Sequence, residues 1–278
     1  MRIALTIAGS DSGGGAGIQA DLKTFAAFGL YGASAITAIT AQSTKGIEAT
    51  MALSADLVTA QIEAVAGDLT IHATKVGMLA NAAIVEAVAA AIAELDLPLV
   101  VVDPVLVSSS GERLLDEDGM RALCAELLPR ARVVTPNIPE AEALSGRRIP
   151  SLDAARDAAR RIHDMGAAAV IITGGHGRWD HDKGSGLRAE SSRPHVIDLL
   201  FDGREFHEFR VPRLDSRHTH GTGCTFASAV AAGLALGREL PDAAARAQQY
   251  VAGAIAHAPG IGHGRGPLDH FWGGILKG

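Results

Sequence analysis

The chain is poor in cysteine, in aromatic side chains and in long uninterrupted apolar runs. Of its 278 residues two are Cys, and Phe, Trp and Tyr together make up 4%. Cys124 and Cys224 cannot build a disulfide framework, nor a zinc site between them. Each thiol is therefore read singly, and a reducing compartment, the cytoplasm, is expected. So few aromatics count against an all-β sandwich. Positive charge is not in excess either. The 25 Lys and Arg are scattered and outnumbered by 31 Asp and Glu, for a net charge of −6. That excludes a broad nucleic-acid surface and leaves only local phosphate binding. Apolar-rich stretches such as residues 226–237 fall short of the ~18–20 residues that cross a bilayer. The apolar run at residues 1–9 is too short for a signal peptide and is expected to be a first strand. A soluble protein without membrane or nucleic-acid partners is expected.

What is plentiful is small and apolar: 47% hydrophobic residues and 32 Gly, enough for a large core with closely packed helices and tight turns. Apolar β-rich runs at 2–8, 33–40, 73–78, 99–103, 132–135 and 168–173 alternate with helical patterns at 18–28, 54–69, 81–95, 139–144 and 152–165. Ser54 and Asn81 stand as helix caps. This βα alternation predicts an α/β fold with a mostly parallel sheet covered by helices on both faces. Strands at 196–201 and 205–211 flank Asp202-Gly203, a hairpin signal, so an antiparallel pair interrupts the series. Helices at 221–236 and 242–257 close it. No linker, charge run or repeat divides the chain, so residues 1–278 are expected to form one domain, with a surface loop at 174–193.

Open α/β sheets bind ligands beyond the carboxyl ends of their strands. The most specific motif there is His218-Thr219-His220-Gly221-Thr222-Gly223-Cys224-Thr225, running into a helix. Glycine-exposed amides at a helix start, with the helix dipole behind them, form an anion site, which is what phosphoryl transfer requires. The same field is expected to lower the Cys224 thiol toward a thiolate that could take a proton from a hydroxyl. The bland alternative is a glycine turn beside a small buried Cys. His218 and His220 lack a third ligand for zinc and read as loop histidines. Cys124, among Met120, Leu123, Leu127 and Leu128, reads as a core thiol. The glycine loop at 9–17 reads as an anion nest or flap, or simply as a strand-to-helix turn. Asp21 could bond a ligand or favour a helix start. Asp103, Asn137 and Glu140 could serve magnesium, while Asn137 and Glu140 could equally cap a helix.

Together these segments resemble the hydroxymethylpyrimidine and phosphomethylpyrimidine kinases of thiamine biosynthesis, within the ribokinase-like superfamily. The resemblance is carried by AGSDSGGGAGIQADLKTF at 8–25, TAITAQST at 37–44, VGML at 76–79, VDPVL at 102–106, TPNIPEAE at 135–142, DLLFDGREFHEF at 198–209, THGTGCTF at 219–226 and GRGPLDHF at 264–271. It implies a three-layer αβα sandwich that uses ATP and Mg²⁺ to phosphorylate 4-amino-5-hydroxymethyl-2-methylpyrimidine and then the monophosphate, usually as a homodimer. It implies Cys224 as base, with Gly221, Thr222 and Gly223 as the anion hole. Gln42 and Asp21 would bind the pyrimidine, and Gly9, Met78 and Val105 would line its pocket. Asn137, Glu140, Thr173 and Gly175 would face the nucleotide, and Glu140 with Asp103 the Mg²⁺. One departure is Thr173, where the family often has Lys. Alternatives are a pyridoxal kinase of the same branch and a non-catalytic pyrimidine-binding sensor.

Overall fold

The βα alternation written in the sequence is realised as one continuous sheet between two helical layers in a computed structural model, which describes residues 1–108, 111–176 and 194–274. The strands are β1 (Ile3–Asp11), β2 (Tyr31–Ser43), β3 (Gly46–Ala52), β4 (Ala73–Val76), β5 (Val100–Val102), β6 (Val133–Val134), β7 (Val170–Ile172), β8 (His195–Phe201) and β9 (Phe206–Pro212). The helices are α1 (Gly17–Ala27), α2 (Ala55–Asp68), α3 (Ala82–Glu94), α4 (Glu117–Ala122), α5 (Ile138–Ser145), α6 (Leu152–His163), α7 (Thr222–Ala235) and α8 (Leu240–Ala256). Sheet order is β3-β2-β1-β4-β5-β6-β7-β8-β9. The strands from β2 to β7 in that order pair in parallel; β3 pairs antiparallel with β2 at one edge, and at the other β8 reverses direction and β9, antiparallel to β8, turns back to the direction of β7.

The two-residue period of a strand sorts the core into two layers. Val100 and Val102 face one apolar cluster with α2 to α6, while Val101 faces the other with α1, α7 and α8. Ile171 and its neighbours Val170 and Ile172 divide the same way. Helix α7 is buried along almost its whole length, from Thr225 to Ala235. Its small residues permit this: a Cβ at Gly233 would stand 2.8 Å from that of Ala243 on α8. Ser54 and Asn81 cap α2 and α3 as expected, accepting from Leu57 N–H and Ile84 N–H.

Three features depart from expectation. Strand β1 continues past Ala8 through Gly9 and Ser10 to Asp11, with a bulge between Ala8 and Ser10. Strand β3 is an additional antiparallel edge, exposed along most of its length, so it carries no in–out alternation to read. A short helix α4 continues into a π-helical turn, Leu123–Leu127, that holds Cys124 partly buried against the larger core, where burial raises its thiol pKa. Of the loop expected at 174–193, Gly174–His176 forms a 3₁₀ turn and 177–193 lie outside the described residues. No helix among the described residues is long and apolar enough to cross a membrane.

Candidate active site

Parallel strands β1, β4, β5 and β6 end at the same end of the sheet, so Asp11, Gly77, Asp103 and Asn137 are delivered to one crevice, and α7 begins there. Its first turn is set by Gly221, whose φ of 84° is the left-handed conformation that favours glycine. A Cβ on Gly221 would lie 1.8 Å from the carbonyl oxygen of Gly15, so the two glycine loops interlock there. The first-turn amides of Gly223 and Cys224 have no carbonyl one turn back within the helix. Thr222 is different: both its N–H (3.3 Å) and its hydroxyl (2.7 Å) turn back to the carbonyl of Thr219. Of the three residues expected to form the anion hole, Thr222 is thus internally engaged, while Gly221 shapes the turn and Gly223 faces Asp103.

Cys224 is half-buried at this helix start. The helix field was expected to lower its thiol; the opposite holds. Burial pushes it up to about 12, the charges of Asp103 and Asp21 add to that, and Lys75 and the Gly17 amide oppose it. Asp103 is buried and its Oδ2 has no hydrogen-bond partner. Both Asp103 oxygens lie 3.8 Å from where a Gly223 Cβ would be. Burial raises this carboxyl to about 6, with Lys75 opposing. Glu140, also buried, is pushed up to about 8 by burial and then by the charge of Asp103.

The remaining expected residues are placed as follows. Gly9 and Met78 meet: a Cβ on Gly9 would be 3.0 Å from the Met78 Sδ. Val105 follows Asp103 in a tight turn, its N–H donating to the Asp103 carbonyl at 2.9 Å. Gln42 is the penultimate residue of β2, its backbone clasped by the Ser12 hydroxyl. Its Oε1 accepts from Thr40 Oγ1 at 3.1 Å and its Nε2 lies 3.2 Å from His220 Nε2. Asp21 is engaged within the chain itself. It is fully buried, and its oxygens are taken by Thr6 Oγ1 (2.6 Å), Lys75 Nζ (3.0 Å) and Ser228 Oγ (2.7 Å). Asn137 and Glu140 form a reciprocal capping box on α5: Asn137 Oδ1 accepts from Glu140 N–H and Glu140 Oε2 from Asn137 N–H. Thr173 bridges to Asn137, and Gly174 is required by packing, since its Cβ would meet the Ile197 carbonyl oxygen at 1.9 Å. Gly175 faces open space and its carbonyl accepts from Arg213 Nη1 at 3.1 Å.

The N-terminal glycine loop is not an open anion nest. Its amides wrap the chain's own Asp11: Gly13 N–H donates to Oδ1 (2.8 Å), and Gly15 (3.0 Å) and Ala16 (2.9 Å) to Oδ2. His220 Nε2 adds a contact to Oδ2 at 3.0 Å. Burial pushes the Asp11 carboxyl up, but His220 and the loop amides outweigh it and hold it below its usual value. Asp11 and Lys75 are the residues that reading the sequence did not single out; His220 is a loop histidine as expected, but its contacts to Asp11 and Gln42 were not foreseen. Lys75 left one usable signal, a lone cation inside the apolar run Ala73–Val76; a charge in a strand buried on both faces needs a partner.

The sequence pattern of the family described as phosphomethylpyrimidine kinase matches residues 11–269. The chain is 46% identical over 268 residues to the hydroxymethylpyrimidine/phosphomethylpyrimidine kinase of Bacillus subtilis, a match that covers 96% of this chain and 94% of that one. It is 47% identical over 267 residues to the thiamine biosynthesis bifunctional protein ThiED of Geobacter sulfurreducens, covering 96% of this chain and 52% of that protein, so it spans about half the length of that relative. Among solved structures it is similar to the pyridoxal kinase from Staphylococcus aureus in complex with AMP-PCP and pyridoxal, at a TM-score of 0.84 and 35% identity, with 97% of this chain and 93% of that one covered. The sheet order, the glycine-led start of α7 and these matches agree: the fold is the ribokinase-like αβα sandwich, and the chain belongs to the phosphomethylpyrimidine kinase family.

Proposed function

We propose that the chain phosphorylates 4-amino-5-hydroxymethyl-2-methylpyrimidine from ATP, first to the monophosphate and then to the diphosphate, a reading supported by relatives named hydroxymethylpyrimidine/phosphomethylpyrimidine kinase. The observation that carries this is the placement of Cys224 in the first turn of α7, beside Asp103 and the glycine-bearing amides. Gly9 and Met78 form one wall for the pyrimidine and Gln42 another. Asn137 and Thr173, joined by a backbone bridge, and Gly175, which faces open space, would serve the nucleotide. The donor set suits a hard cation: Asp103 has an unpartnered buried oxygen and Glu140 lies close behind it. Magnesium binds through one or two carboxylates together with phosphate oxygens, and no larger ligand cluster occurs among the described residues. Held by Asp103, with Glu140 behind, Mg²⁺-ATP would supply the phosphoryl group and neutralise the carboxylates.

Cys224 serves as base only as a thiolate. Neutralising Asp103 removes one of the charges that keep the thiol protonated, while Lys75 and the α7 dipole continue to favour the anion. The thiolate takes the hydroxyl proton as the alcohol oxygen bonds to the γ-phosphorus, and ADP leaves. The α7 amides stabilise charge on the transferring group. A product time course with Mg²⁺-ATP and the pyrimidine alcohol tests this; monophosphate followed by diphosphate is expected, and neither product would overturn it. The likeness to a pyridoxal kinase supports a second reading, separated by comparing kcat/KM for pyridoxal and the pyrimidine alcohol.

The unbroken sheet supports one domain over residues 1–278. Exposed Ile39 and Met51 on the β2–β3 edge support a homodimer, measurable as the mass in solution, and the two free thiols support a cytoplasmic setting.

A further inference from the structure

Lys75 is the one buried Lys or Arg among the described residues, with no part of its side chain exposed. The residue just beyond its strand provides the space: a Cβ at Gly77 would stand 2.6 Å from the Lys75 Nζ. The ammonium is 3.0 Å from Asp21 Oδ2 and close enough to Cys224 and Asp103 to favour the anionic form of each. Asp21 passes the connection on. Its Oδ2 also accepts from Thr6 on β1, and its Oδ1 accepts from Ser228, one turn after Cys224 on α7. One ion pair thereby ties α1, β1 and β4 to the helix whose start bears the thiol. As a stability device it would be a poor choice, because apolar residues of similar volume commonly do as well as a buried pair.

We propose that Lys75 is a positioning residue for phosphoryl transfer: through Asp21 and Ser228 it fixes the opening turns of α7, and with them Cys224, against the crevice. This rests on Cys224 as the base, so Cys224→Ala is measured alongside.

Lys75→Met alone leaves Asp21 charged and buried, and a Tm lower by roughly 10 °C is expected. The double variant Lys75→Met/Asp21→Asn removes both charges and is expected to recover most of that Tm. Its kcat should stay lower by about 10–100-fold, the scale of a small misplacement of reacting groups, with KM for both substrates within about twofold. Wild-type kcat in a refolded double variant would overturn the proposal and leave the pair merely structural. Should the double variant fail to fold, Ser228→Ala cuts only the link to α7. A kcat lower by about 3–10-fold at unchanged KM is expected there, and unchanged kcat would overturn the proposal. In a Cys224→Ala background the pair substitutions should cost no further turnover, because they act through the thiol. A further additive loss would overturn that route. Full activity in Cys224→Ala itself would instead overturn the base assignment, and the positioning role with it.

Discussion

Two glycine-rich loops in this molecule lead into helices at the same end of the sheet, and they do different work. The loop before α1 spends its amides on Asp11, a carboxylate of its own strand, so that site is filled from within. The loop before α7 has a left-handed glycine at its corner, the thiol of Cys224 in the first turn of the helix, and beside it a carboxylate oxygen without a partner. Glycine content does not separate the two. What separates them is whether an acidic side chain of the chain already occupies the amides. The two are also mechanically joined, since the Gly221 Cα sits against the Gly15 carbonyl and His220 contacts Asp11. The first loop is thereby the platform on which the second is built.

The largest expected effect lies in the second loop. Cys224→Ala should lower kcat by about 10²–10⁴-fold, the scale for removal of a general base, while leaving the melting temperature nearly unchanged. A steady-state assay beside a thermal melt checks both. Loss of stability with retained turnover would reverse the comparison.

The intermediate effect lies in the first loop and should be one of stability. Asp11→Asn weakens the acceptor for the amides of Gly13, Gly15 and Ala16 and should cost on the order of 2–3 kcal/mol. The sign of its pH dependence follows from the lowered carboxyl. A group whose pKa falls on folding contributes stability above its unfolded value, here 3.8, and loses it as pH drops through the folded value. The gap in Tm between wild type and variant should therefore be full at neutral pH and close as pH falls below about 4. A gap that widens in acid would show that Asp11 is not held as an anion.

The same contrast explains what the sequence discloses. The βα series, the caps at Ser54 and Asn81 and the β8–β9 hairpin are local patterns, each legible within a few residues. So is the run from Gly221 to Cys224, because a helix start and its side chain are neighbours in the chain. The partners that decide what each loop does are remote: Asp11 and His220 are 209 positions apart, Asp21 and Lys75 54, and Asp21 and Ser228 207. No periodicity reports such pairs. Asp21 was therefore legible as a polar residue at the crevice and not as one whose oxygens were already engaged. The thiol pKa departs from expectation for a related reason. The helix dipole is visible in the sequence, whereas burial and the carboxylates Asp21 on α1 and Asp103 after β5 depend on remote elements arriving at the same place.

The smallest effect sharpens the boundary between the two loops. Family resemblance puts Thr222 in the anion hole, but its amide and hydroxyl both fold back on Thr219. If that is its role, Thr222→Ala removes one hydroxyl hydrogen bond on a half-buried turn, costing about 0.5–1.5 kcal/mol and leaving kcat within about twofold. If instead the hydroxyl turns toward the transferring phosphoryl group, kcat should fall by about 10²-fold or more, the scale of losing a preorganised donor. The ratio of kcat to Tm change thus decides whether Thr222 acts like the first loop, whose polar groups satisfy one another, or like Gly223 and Cys224, whose first-turn amides have no acceptor within their own helix.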